Sequence, residues 1–200
     1  MWNNMALSML RAIAHDNTYE RVLDTISNGI NAADNRISNV VGVDDDMYKD
    51  YVVDSECDLV ENLLGSAFVV CQTHILSVAS RASAIYKSVG ITHRSQPYQL
   101  YDAKIQAIVS LANYFKHRVE WNGLDWEKIS KNNFHAKRTI SEIKKLGLVA
   151  GSTGNLRTGS EWLGNKDYVQ TSRFVYIIDA WSEELISDCT SLVKPSNIDA

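Results

Sequence analysis

The sequence predicts an all-α fold, one helical bundle spanning residues 1–200, and three observations carry that expectation. Only two prolines occur, Pro97 and Pro195, both at positions where helices should begin or end. The long stretches without proline place apolar residues three and four apart rather than in alternation, which is the period of a helix face and not of a strand. At 200 residues, 45% hydrophobic and 22% charged, the chain suits a single domain with enough apolar material for a real core.

Each element has its own justification. Met5, Met9, Leu10 and Ile13 predict a short amphipathic helix over 5–14. Val22, Ile26, Ile30, Ala33, Ile37 and Val40 predict a second over 18–40, after which "VVGVDDD" breaks the pattern into an acidic connector. Residues 51–88 are the longest candidate, apolar almost all round between Leu59 and Ala79, which marks a central buried helix. Gly65 inside it weakens the helix by about 1 kcal/mol relative to alanine and is expected to admit close approach of a neighbour.

Tyr101, Ile105, Ile108, Leu111, Ala112 and Phe115 give the stripe of the next helix, 98–121, expected to be the antiparallel central partner of 51–88. Leu63, Val70, Ile105 and Ile108 should be buried between the two. After the turn "NGLDWEK", with Asp125 as an N-cap, a helix over about 134–146 should stop at Gly147. Residues 147–171 hold five of the ten glycines and read as one long loop, with room for a short hairpin. Phe174, Ile177, Ile178, Trp181, Leu185 and Ile186 predict a closing helix over 172–192. The core bundle is therefore expected in 18–146 and 172–192.

Several function classes lose support at this level. No run approaches the ~18 consecutive apolar residues of a membrane span, and "MWNNMALSMLRAIAHDN" carries no basic leader or clear cleavage site. A cytoplasmic protein without membrane contact is the expectation. Cys57, Cys71 and Cys189 are scattered without CxxC spacing, and the five histidines form no HxxxH pair. Neither a disulfide framework nor a metal site is expected, and no cofactor. There is no Gly-rich phosphate loop and no nucleophile elbow.

Charge is unevenly placed although the net value is only −4. Asp44, Asp45, Asp46, Asp50, Asp54, Glu56, Asp58 and Glu61 stand against the single base Lys49. Between Lys116 and Arg157 there are nine bases and four acids. Such asymmetry steers a charged partner, or else the two regions face one another in the fold. The acidic run lacks the glycine of a calcium-binding loop.

The stretch "LANYFKHRVEW", residues 111–121, carries the densest chemistry. Asn113 and His117 are four apart and share a helix face. "ANYFKH" on the second long helix of a bundle resembles the HEPN superfamily, whose motif is an arginine, a polar residue, three variable residues and a histidine. The resemblance covers about residues 51–121. It implies metal-independent RNA cleavage in active members, with the histidine in proton transfer, the arginine on the phosphate and two protomers commonly meeting at the site. Asn113 matches the polar position and His117 the histidine, while Ala112 stands where the arginine would be. Removing such a preorganised donor typically costs about 100-fold or more in rate. Lys116 and Arg118 flank the histidine about 100° away on the helix, and Arg81 is a third candidate to replace the missing cation. The same residues also suit a purely structural role, with Lys116, His117 and Arg118 complementing the negative end of the helix dipole.

Two functional expectations follow. One is a non-enzymatic, HEPN-like binding protein, most concretely an immunity or antitoxin protein that neutralises a basic nuclease through the acidic run. The other is a HEPN-type endoribonuclease acting through Asn113 and His117, dimeric as the resemblance implies. In that case RNA would run along Lys116, Arg118, Lys137, Arg138, Lys144 and Lys145.

Overall fold

The computed structural model describes residues 2–121, 125–165 and 170–193, with the side chains of Trp2, Asn3 and Asn132 excepted. All regular structure among them is helical. In order come α1 (Trp2–Ala14), α2 (Thr18–Val40), α3 (Asp46–Ser88), 3₁₀ turns at Thr92–Arg94 and Pro97–Leu100, and α4 (Ala103–Trp121). Then follow α5 (Trp126–Asn132), α6 (Phe134–Lys145), α7 (Asn155–Trp162) and α8 (Ser172–Val193). Pro195 and the turn residues 122–124 lie outside the described residues.

At 43 residues, α3 is about 65 Å long and forms the axis of the bundle. Its start is set by Asp45, whose carboxylate accepts from the Tyr48 N–H at 3.0 Å. The acidic segment is therefore no connector: Asp46 onward forms the first turns of the helix, because the N-cap at Asp45 and the lack of any breaker after it extend helix by five residues beyond the apolar pattern.

Three helices lie along α3. Contacts Arg36–Glu56, Gly29–Leu63 and Tyr19–His74 place α2 antiparallel to it. Arg118–Asn62, Phe115–Gly65 and Asn113–Gln72 do the same for α4. Phe68–Phe174 and Tyr86–Asp188 run α8 parallel to it. The antiparallel α3–α4 pair is as expected, although α2 packs along α3 more extensively than α4 does.

Ile105 and Ile108 are fully buried, whereas Leu63 and Val70 are only half-buried. The inner line of α3 runs instead through Val60, Leu64, Phe68, Cys71 and Ile75. One helical position turns the face by 100°, and Leu63 is drawn off the α4 side towards Gly29 of α2. Nor is α3 apolar all round: Gln72 and His74 are buried, and Leu59 and Leu76 are exposed. By length and composition the middle of α3 would suffice to cross a membrane, but over half of that window is buried against the other helices.

Two further expectations need correction. Helix α4 begins at Ala103 rather than Tyr98, since Pro97–Leu100 closes as a separate 3₁₀ turn. The region 147–171 contains α7 instead of a hairpin; its residues 166–169 lie outside the described residues. Gly154 at φ +79° permits the sharp entry into α7. Asn155 then ties the loop together, its amide donating to Tyr114 Oη and to the Val149 and Ser152 carbonyls. Gly159 admits Leu111 of α4 so closely that a β-carbon there would lie 2.4 Å from Leu111 Cδ2.

Candidate functional site

Two features of the described structure hold the residues singled out from sequence, a groove beside α4 and an acidic face on α3. The groove holds about 460 Å³ and is bounded by α3, α4, α6 and the Pro97–Leu100 turn. Asn113, Lys116, His117 and Arg138 all line it, so four residues named from sequence meet in one place.

Gln72, a buried amide of α3, holds two of them. Its Nε2 donates to Asn113 Oδ1 at 3.0 Å and to the Val109 carbonyl at 3.3 Å, and its Oε1 accepts from Lys116 Nζ at 2.7 Å. With Oδ1 so engaged, Asn113 retains its amide N–H groups for the groove. His117 is half-exposed, stacked on Trp121 at 5.5 Å and 15°, with Nδ1 3.2 Å from Glu120 Oε2. On the opposite wall the Arg138 guanidinium donates to Gln106 Oε1 at 2.8 Å and lies 5.0 Å from the centre of the Tyr98 ring.

The other proposed cations are elsewhere. Arg118 turns away onto the Phe115 ring at 4.7 Å and donates to Asn62. Arg81 lies beside Ile13 of α1 and Ser77, and does not line the groove. Lys144 approaches Glu127 at 3.9 Å, Lys145 pairs with Glu142 at 2.8 Å, and Lys137 is exposed. Ala112, at the position of the motif arginine, is fully buried in the bundle. A cation at that position would therefore point into the core; among the described residues the lysine and arginine that line the groove are Lys116 and Arg138.

The eight carboxylates divide in two. Asp45 caps α3, and Asp46 pairs with Lys49 at 2.6 Å. Glu56 receives Arg36 in a two-pronged contact at 2.6 and 2.7 Å, and the guanidinium holds its carboxyl below the usual carboxylate range. Glu61 accepts from the Leu156 and Arg157 N–H groups, both at 3.1 Å, and so caps α7, which has no side-chain cap of its own.

Asp44, Asp50, Asp54 and Asp58 remain solvent-facing. On α3 the last three share a stripe with Met47 and Tyr51, because positions 47, 50, 51, 54 and 58 recur at helical spacing. Met47 is 82% exposed and Tyr51 72%, a large apolar outlay at the start of a helix. Val41 and Tyr48 are exposed as well.

Sequence reasoning missed Gln72, Gln106, Glu120, His135, Tyr98 and Tyr101 as groove residues. Gln72 had a signal: it is a lone amide in the apolar run "AFVVCQTHILSVA", where a buried polar group needs a reason. The Tyr98 and Arg138 walls had none, since tertiary folding alone brings them to α4. Among the described residues no three His, Cys, Asp or Glu side chains come together as a metal site. The chain matches no known family model, no curated protein and no solved structure.

Proposed function

We propose that this chain is a non-enzymatic binding protein that neutralises a basic partner protein, a nuclease in the most concrete version, through the exposed face of α3. The observation that carries this is the stripe Met47, Asp50, Tyr51, Asp54, Asp58. Its carboxylates are those not engaged inside the fold, and they alternate with side chains that suit the centre of an interface. Tyrosine and methionine are enriched in such centres, and a ring of charge speeds encounter with an opposite surface. The burial of Ala112 supports a non-catalytic reading of the HEPN-like motif.

The test is the quadruple variant Asp44→Asn, Asp50→Asn, Asp54→Asn, Asp58→Asn, compared with Tyr51→Ala. Binding to a basic partner should slow in its on-rate for the first and dissociate faster for the second, with folding retained in both. Partner binding indifferent to both variants would exclude this face.

A second reading, an endoribonuclease acting through Asn113 and His117, is favoured by the groove that gathers both with Lys116 and Arg138. It requires that His117→Ala abolish a measured RNA-cleaving activity of the folded protein. Cleavage that survives this substitution would remove it.

A further inference from the structure

We propose that a second pocket, between α3, α4, the start of α5 and the turn 151–154 that enters α7, binds a free α-amino acid with an apolar side chain. Its ammonium sits on Asp58 and its carboxylate on Arg118. Asp58 also belongs to the acidic stripe of α3, but Arg118 does not, and the test below needs no partner protein.

The first argument is charge. The pocket holds about 290 Å³, and Asp58, Glu61 and Arg118 are the charged side chains that line it among the described residues. Glu61 is occupied, because its two oxygens serve the Leu156 and Arg157 N–H groups. Asp58 and Arg118 enter no ion pair among the described residues. Two opposite charges thus line one pocket without meeting. Asn62 keeps them apart: its amide donates to the Asp58 backbone carbonyl at 2.8 Å, and its Oδ1 accepts from Arg118. The guanidinium is therefore held by a residue one turn, about 6 Å, further along α3 than Asp58.

An α-amino acid carries both complementary charges on one carbon. With charge-assisted hydrogen bonds of about 2.7–2.9 Å at either end, it bridges a carboxylate and a guanidinium that do not touch. The guanidinium fork matches the ligand carboxylate, and Asp58 accepts from the ammonium. A ligand of one sign would satisfy one of these residues and be repelled by the other.

The second argument is the rest of the lining. Tyr114, Trp121 and Trp126 form an aromatic wall, with Tyr114 6.4 Å from Trp121 and 5.8 Å from Trp126 between ring centres. All three are largely buried, and the Tyr114 hydroxyl is tied to Asn155 at 2.9 Å, so the wall is preformed and costs little ordering on binding. Val119 lines the same pocket and is 84% exposed, an apolar surface for a ligand side chain to cover. The volume lies at the lower end of the range of about 300–1,000 Å³ typical of small-molecule sites, which suits a ligand the size of one residue.

The experiment is calorimetric titration of the full chain with L-phenylalanine, L-leucine and L-tryptophan, beside glycine, N-acetyl-L-phenylalanine and L-phenylalaninamide. A pH of about 6.5 keeps every free α-amine charged. L-Phenylalanine should bind, and each capped form should bind about tenfold more weakly, the loss expected for one charged hydrogen bond. Glycine, which leaves the aromatic wall uncovered, should also be weaker. Arg118→Gln should abolish the difference between L-phenylalanine and its amide, and Asp58→Asn the difference between L-phenylalanine and its N-acetyl form. No saturable binding of any of the three apolar amino acids by the folded protein would overturn the proposal. So would discrimination unchanged in both variants. The capped forms also represent the end residues of a peptide, so either one binding as well as L-phenylalanine would make the pocket a site for a chain terminus and overturn it too.

Discussion

At the scale of single residues, the polar groups engaged inside the fold set the sharpest expectations. Glu61 looks in sequence like one more surface acid, yet its two oxygens satisfy the Leu156 and Arg157 N–H groups at the start of α7. Glu61→Ala should cost about 0.5–2 kcal/mol, the usual value of a lost cap. Hydrogen exchange at those two amides should accelerate more than at amides of α8. His74 is a second case. It stacks on Tyr19 at 4.0 Å, its Nε2 is buried without a hydrogen-bond partner among the described residues, and burial lowers its pKa below 6.5. The nearby carboxylates of Asp179 and Asp16 oppose that shift more weakly. The folded state thus holds His74 neutral where the unfolded chain would take up a proton. Its contribution is complete above about pH 6.5 and is lost as pH falls through the lower folded value. A melting series from neutral to mildly acidic pH should show a decline that His74→Phe makes shallower; an unchanged slope would show that other groups set it.

At the scale of elements, the closest approach in the bundle decides how α3 and α4 pack. A β-carbon at Gly65 would lie 2.0 Å from Phe115 Cδ2. Gly65→Ala should therefore destabilise by about 1–3 kcal/mol through overpacking, although alanine alone improves helix propensity by about 1 kcal/mol. Combining it with Phe115→Leu should recover part of the loss, a coupling visible in a double-mutant cycle by urea unfolding. Leu64→Ala should cost about 2–5 kcal/mol as a cavity in the inner line, and half-buried Leu63→Ala clearly less. Much of this level was legible in the sequence. The bounds of α2, the end of α3 at Ser88 and the close-approach role of Gly65 follow from spacing and residue type alone. What was not legible depended on partners distant in sequence. The apolar stripe of α3 does not say whether Leu63 or Leu64 lies on its inner line, because several helices cover it at once. The region 147–171 hides α7 because its first turn is held by Glu61, 95 residues away from Leu156. The groove was half legible: Asn113, Lys116 and His117 share one helix, whereas Gln72 and Arg138 reach them only through tertiary packing.

At the scale of the whole molecule, the uneven charge resolves into two arrangements. Internal partners take up part of each region: Arg36 and Lys49 answer Glu56 and Asp46, and Glu142 and Glu127 answer Lys145 and Lys144. The ion pairs of Glu56, Asp46, Lys144 and Lys145 each stay within their own part of the molecule rather than joining the acidic run to the basic helices. Asp44, Asp50, Asp54 and Asp58 are thereby left facing solvent beside Met47 and Tyr51. Exposed like charges repel, so removing these four should leave the melting temperature nearly constant or slightly raised. Their role is tested most directly by capture from the source cell on the immobilised full chain, beside the Asp44→Asn, Asp50→Asn, Asp54→Asn, Asp58→Asn variant, at low and high salt. The account predicts that a basic protein is retained by the native chain at low salt, released as salt screens the surface, and lost from the equally stable variant. Equal retention by native chain and variant, or retention indifferent to salt, would contradict it.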